Sequence, residues 1–197
     1  MPVGRRQRKK EELRARILDA ASQLIARQGL AATTVDQIAE LADISQTTFF
    51  NYFRNKAHLV DALVARMVRF FDDTVDRVHG VDASAVQKVE TLFQLAVDLT
   101  EGQHRFVRDL IGETARSSTL EARISFEHMR AVLTEDLAQS QARGEVRRDQ
   151  SAQDLADAVL GLYVSAFLFW TTDASYSVAE RLRTSALLAT DLIEQRG

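Results

Sequence analysis

Between Thr34 and Lys56 the chain sets small polar side chains, aromatic rings and a terminal amine in one short register. Gln46, Thr47 and Thr48 stand together, Asn51 follows one helical turn later, and Tyr52 and Lys56 close the stretch. Gln can pair bidentately with adenine; Thr can donate, accept, or lay its methyl against that of thymine. Short side chains at 47 and 48 let a backbone approach a groove closely. Lys56, the Tyr52 hydroxyl and Thr34, the last at a helix N-terminus whose free N–H groups favour anions, are placed to hold phosphates. The chemistry on offer is recognition of a duplex, with no bond made or broken. Phe49, Phe50 and Phe53 read as packing residues rather than as rings that stack on bases.

Such a probe has to be held out from a scaffold, and the neighbouring residues describe one. Thr33 or Thr34 caps a short helix, with Gln37 in the capping-box position after Thr34. Val35, Ile38, Ala39 and Leu41 give that helix its buried face. Ala42-Asp43-Ile44-Ser45 is a turn in which Asp43 takes a left-handed backbone. Ser45 caps the probe helix, Gln46 to Tyr52, and Phe49 and Phe53 anchor it at i and i+4. A first helix spans residues 11–28 and stops at Gly29. Asn55 caps a long helix running from Lys56 to Val78. Ahead of all this, Arg5-Arg6-Gln7-Arg8-Lys9-Lys10 reads as a disordered basic arm.

The remaining sequence predicts five more helices, near 83–100, 103–116, 119–142, 151–171 and 175–195. Gly102, Ser117-Ser118, Gly144 and Thr172-Asp173 punctuate them. Of the 197 residues 46% are hydrophobic and 27% charged, and Pro2 is the one proline. No stretch alternates as strands do. The chain therefore reads as all-α. It has no cysteine, which excludes disulfides, thiolate catalysis and Cys-based zinc sites. The basic start lacks the pattern of a signal peptide, and the apolar run Val159 to Trp170 is too short to span a bilayer. A cytoplasmic protein with no membrane partner is expected. Residues 1–56 carry ten Lys/Arg against six Asp/Glu, a charge of +4; the rest carries −7. A basic front on an acidic body suits a polyanion at one end only.

Thr34 through Lys56 resembles the DNA-binding segment of the TetR family of bacterial transcriptional repressors, above all in Ser45-Gln-Thr-Thr-Phe-Phe-Asn-Tyr-Phe-Arg-Asn-Lys56. Ile17-Leu18-Asp19-Ala20-Ala21 followed by Gly29 is similar to that family's first helix. The resemblance covers about residues 11–70, with Asp43 in place of the usual turn glycine and Phe50 in place of a frequent tyrosine. It implies an N-terminal three-helix helix-turn-helix domain joined by a long helix to a C-terminal helical domain that binds a ligand and dimerises. The expected limits are 11–71 (motif 34–53) and 82–197. It also implies base or phosphate contacts from Thr34, Gln46, Thr47, Thr48, Asn51, Tyr52 and Lys56. A repressor released from a palindromic operator on double-stranded DNA by a small-molecule effector is the function implied.

For the body, residues 155–170 are apolar nearly all round, so more than one side must be covered. Ala158, Gly161 and Ser165 form a line that permits close approach. With Leu162, and with Leu182, Ala186, Ala189 and Ile193 of the last helix, they are the expected homodimer surface, which agrees with the family's pairing of its last two long helices. Phe70, Phe93, Phe106, Phe126, Met129, Tyr163, Phe167 and Trp170 are the candidate lining of an effector cavity. A helical-bundle enzyme or a DNA-independent interaction protein is the alternative. A di-metal bundle needs two Glu-x-x-His pairs, and only Glu101-Gly-Gln-His104 has that spacing. No phosphate-binding loop or nucleophile elbow occurs. No metal, cofactor or catalytic residue is expected, though His104 leaves a single effector metal open.

Overall fold

The computed structural model describes residues 4–117, 120–173 and 175–194. Their elements are α1 (Arg5–Gln28), α2 (Val35–Leu41), α3 (Gln46–Tyr52), α4 (Lys56–His79), α5 (Ala85–Gly102), α6 (His104–Ser117), α7 (Leu120–Arg143), α8 (Ala152–Thr172) and α9 (Val178–Ile193). The expected break at Ser118, the helix start at 119 and the helix end at 195 fall outside the described residues.

Helix starts follow their caps. Thr34 Oγ1 accepts from the Gln37 N–H at 3.3 Å, and Gln37 Oε1 accepts from the Thr34 N–H at 3.0 Å. Ser84 forms a second such box on α5, and Ser45, Asn55 and Ser151 each accept one backbone N–H at the start of α3, α4 and α8. Each satisfies a backbone donor that has no partner within the helix. One expectation fails at the front. The basic arm is helical: α1 begins at Arg5, directly after Gly4. Arg, Lys and Gln are good helix formers, so the run extends the helix behind it, and residues 5–10 stand exposed along it.

Two hydrophobic cores form. The head core gathers Ile17, Ala21 and Ile25 of α1, Ile38 of α2, Phe49 and Phe53, and Leu59 and Leu63 of α4. The body core gathers Val75 of α4 with Val89, Phe93, Leu133, Leu137, Leu155, Leu160, Trp170, Leu182 and Ile193. In the body α9 packs against α5 and α8, and α7 against α4 and α8. Helix α4 runs unbroken through both cores. Helix α6 touches α1, α4, α5 and α8, and its Leu110 is fully buried in the head core.

Helix α8 extends over 21 residues, longer than the apolar run alone indicated, and has the length and composition of a membrane span. Its Leu155, Val159, Leu160, Tyr163 and Trp170 are buried among the other helices. That is the behaviour of a core helix.

A buried ion pair crosses the far end of the body. Lys88 Nζ donates to Asp136 Oδ1 and to the His79 carbonyl, both at 2.7 Å, and the His79 ring meets Asp136 Oδ1 at 3.0 Å. Lys88 lies on the apolar stripe of α5, beside Ala85 and Val89. Removing one partner of such a pair leaves the other charge buried without compensation. Asp136→Ala should cost about 3–5 kcal/mol in urea denaturation, and Lys88→Met combined with Asp136→Leu should recover most of it.

Candidate functional site

The head's outer surface is shaped by what α3 buries. Phe49 and Phe53 are fully buried, with ring centroids 5.7 Å apart. Their burial fixes the rotation of α3 and turns Gln46, Thr47, Phe50 and Asn51 to solvent. Asp43 holds the turn at φ 52°, in the left-handed region. Ser45 Oγ accepts from the Thr48 N–H at 3.1 Å, and Thr48 is half-buried. Tyr52 is half-buried against the head core. Thr34 is exposed at the N-terminus of α2.

Three features were not foreseen. Phe50 is 50% exposed, so it is not a packing residue. It sits amid the exposed face of α3, four residues from Gln46 and three from Thr47, with its ring edge-to-face on Phe49 at 5.5 Å. That i, i+3, i+4 relation was available from the sequence. Next, Gln46 Nε2 donates to Asp36 Oδ1, which ties the amide to α2. Finally, the Lys56 ammonium donates to the Leu30 carbonyl. The Leu30 N–H in turn donates to Asp109 Oδ2 at 2.7 Å. Leu30 is thus held at both ends, by α4 and by α6. Arg105 adds a bond to the Arg27 carbonyl at 3.1 Å. Gly29, at φ 86°, makes this loop passable, and a Cβ there would lie 3.5 Å from Asp109 Oδ2.

Where head and body meet, a cavity of about 240 Å³ opens among α4, α6, α7 and α8. Of the candidate residues, Phe70, Phe126, Met129, Tyr163 and Phe167 line it. Met67, Val68, Phe71, Leu99, Val107, Ile111, Thr114, Ser125 and Val164 complete the wall. Phe93 and Trp170 do not reach it, because the body core buries them, at 1% and 0% exposed. Phe106 packs against both cores instead. In the sequence, Val107, Ile111 and Thr114 showed their shared face by spacing, but not what that face would meet. A larger polar recess of about 630 Å³ lies at the far end of α4, around His79, Lys88, Arg143 and Glu145. Lys88 there is paired with Asp136, and Arg143 with Glu145.

On α8 and α9 the expected contact residues divide. Ala158 and Gly161 are exposed, and Leu162, Ser165 and Ala186 half-buried. Leu182, Ala189 and Ile193 are fully buried in their own chain's core, so they cannot face a partner. The apolar side chains left outward are Val164, Leu168 and Phe169 on α8 and Leu187 and Leu188 on α9; Leu187 is 68% exposed. Helix α9 turned its more regular stripe inward, against α5 and α8.

The Glu101 carboxylate accepts from Arg183 at 2.6 Å, and the exposed His104 ring lies 4.8 Å from that of Trp170. Among the described residues no group of His, Asp and Glu is arranged to hold a metal ion.

The chain is similar to known proteins both over its head and over most of its length. A family profile described as bacterial regulatory proteins, tetR family, matches residues 17–63. The uncharacterised helix-turn-helix transcriptional regulator YvkB of Bacillus subtilis is 51% identical over 51 residues, 26% of this chain and 27% of that one. The match therefore spans about a quarter of that relative's length. YdeS of the same organism, also an uncharacterised helix-turn-helix transcriptional regulator, is 31% identical over 150 residues, 74% of this chain and 73% of that one. A crystal structure from Saccharomonospora viridis, described as a transcriptional regulator in complex with choline, superposes with a TM-score of 0.77. It covers 94% of this chain and 100% of that one at 24% identity, a likeness of fold.

Asp36 places a carboxylate beside the exposed face of α3. Asp36→Ala should tighten binding to any duplex by about 0.5–1 kcal/mol at low salt, fading as salt rises; fluorescence anisotropy across a salt series measures it.

Proposed function

Since the chain belongs to the TetR family of bacterial transcriptional regulators, we propose that it represses genes from a palindromic operator and leaves that operator when a small molecule enters the body. The observation that carries this is the set of exposed side chains on α3, turned outward by the burial of Phe49 and Phe53. In this reading residues 11–71 form the DNA-binding domain and residues 82–197 the effector-binding and dimerisation domain. A helix-turn-helix lays its second helix in the major groove with N-terminal residues at the base edges. Gln46, Thr47 and Asn51 supply polar contacts there, and Phe50 offers an apolar one to a thymine methyl. Thr34, Thr48, Tyr52 and Lys56 hold phosphates, with Lys56 sharing its three donors between a phosphate and Leu30. The exposed basic start of α1 adds sequence-independent attraction.

A single head grips weakly, and two-fold dimers on palindromes are the usual solution. The exposed apolar residues of α8 and α9, next to Ala158, Gly161, Leu162, Ser165 and Ala186, support that pairing. The dimer occupies its operator and excludes other proteins from it. The chain carries out no catalysis and works in the cytoplasm, where its DNA is.

The cavity supports a small-molecule effector, as does the choline held by the protein of S. viridis. Helix α6 offers the route from cavity to head: Val107 and Ile111 face the cavity, while Leu110 and Asp109 hold the head. Operator affinities with and without effector then differ by about 1–3 kcal/mol.

Selection of bound sites from random DNA tests the proposal. A symmetric consensus is expected; an asymmetric one, or none, overturns it. Lys56→Ala should weaken binding to all sequences and lower the salt slope by about 1, whereas Gln46→Ala should relax preference at one base pair by about 1–3 kcal/mol. Quantitative binding to the consensus and its single-base variants measures both.

A further inference from the structure

Asp36 and Gln46 belong to different helices of the head, and both are exposed. Gln46 Nε2 donates to Asp36 Oδ1 across the turn that joins those helices. The backbone on each side of the bond is fixed. Asp36 lies in the first turn of α2, behind the Thr34–Gln37 capping box, and Gln46 is the first residue of α3, behind the Ser45 cap. Between them the Ile44 N–H donates to the Ala39 carbonyl at 3.0 Å, and Asp43 holds its left-handed conformation. The separation of the two side-chain roots is therefore set by the fold rather than by the side chains.

The two ends of the Gln46 amide differ in what they can offer Asp36. A carboxylate accepts and has no hydrogen to give, so it takes the nitrogen and turns the oxygen away. One N–H is spent on Asp36, which leaves Oε1 and the second N–H for a duplex. Adenine matches that pair, with an amine at N6 and an acceptor at N7, whereas cytosine offers its N4 amine to Oε1 alone. Guanine presents two acceptors, N7 and O6, and thymine one, O4. An untethered Gln could meet guanine by rotating its amide through a half turn and giving both hydrogens. Asp36 opposes that rotation, because its own oxygen would then face Oε1. A carboxylate beside a polyanion lowers affinity for every sequence alike; what it adds is a difference between sequences.

We infer that Asp36 is a positioning residue for Gln46: it holds the amide with its acceptor toward the groove, so that the base pair under Gln46 is an A·T pair read through adenine and guanine is excluded. This rests on the proposed reading of the operator by α3.

The pair under Gln46 is the one whose preference Gln46→Ala relaxes. Four duplexes of the selected consensus, differing at that pair alone, are titrated by fluorescence anisotropy with the full-length wild type, Asp36→Ala, Gln46→Ala and the double variant. The wild type should bind adenine over guanine by about fivefold or more, with cytosine between them. In Asp36→Ala that ratio should fall by about threefold or more, chiefly through a gain on guanine. In the Gln46→Ala background, removing Asp36 should leave the ratio unmoved. The repulsion between Asp36 and phosphates is common to the four duplexes and divides out, and a loss of folding would weaken all four together. A wild type that prefers any base but adenine, a ratio that survives Asp36→Ala, or an Asp36 effect that persists without Gln46 overturns the inference while leaving α3 as the reader. Gln46→Ala that relaxes no pair overturns both.

Discussion

Leu59, Leu63 and Val64 lie in one hydrophobic core and Val75 in the other, and a single helix carries all four. No proline or glycine interrupts α4 between them. A helix can bend smoothly, but a sharp kink needs a cause of that kind. The head therefore has little freedom to move independently of the segment that lines the cavity. Burial of Phe49 and Phe53 sets α3 on that base, and the base sets where α3 points. In the proposed function, recognition and regulation both depend on one stiff element shared by two cores.

The second tie runs through α6. One face contributes Val107 and Ile111 to the cavity, and Leu110 enters the head core. Asp109 holds the Leu30 peptide from one side while Lys56 holds it from the other. A displacement of α6 by a ligand thus acts on a loop that carries a candidate phosphate contact. Packed cores respond to such displacements by moving between discrete arrangements rather than by stretching.

The head was largely legible in the sequence because its signals are local. Thr34 with Gln37, Ser45 before Gln46 and Asp43 in the turn each state their conformation within four residues. The body was legible in helices but not in faces. Helix α8 is apolar on two sides, and spacing alone does not say which side a neighbour covers; Leu182, Ala189 and Ile193 of α9 went inward while Leu187 and Leu188 stayed out. Phe93 and Phe126 are the same residue type on different helices, yet one is core and the other is 41% exposed at the cavity. Only tertiary packing separates them. Composition misled at Arg5 to Lys10, where a run of charge looked like a tail and helix propensity made it α1. Phe50 was misjudged by residue type, although its spacing from Gln46 and Thr47 placed it on their exposed face.

The most direct measurement is a crystal structure of the protein on its selected duplex. The account requires two chains related by a two-fold axis, paired through α8 and α9. It places α3 of each in successive major grooves about 34–36 Å apart, with Gln46, Thr47 and Asn51 within hydrogen-bond distance of base edges. An α3 lying outside the groove, or a head reaching the duplex through another surface, would contradict it.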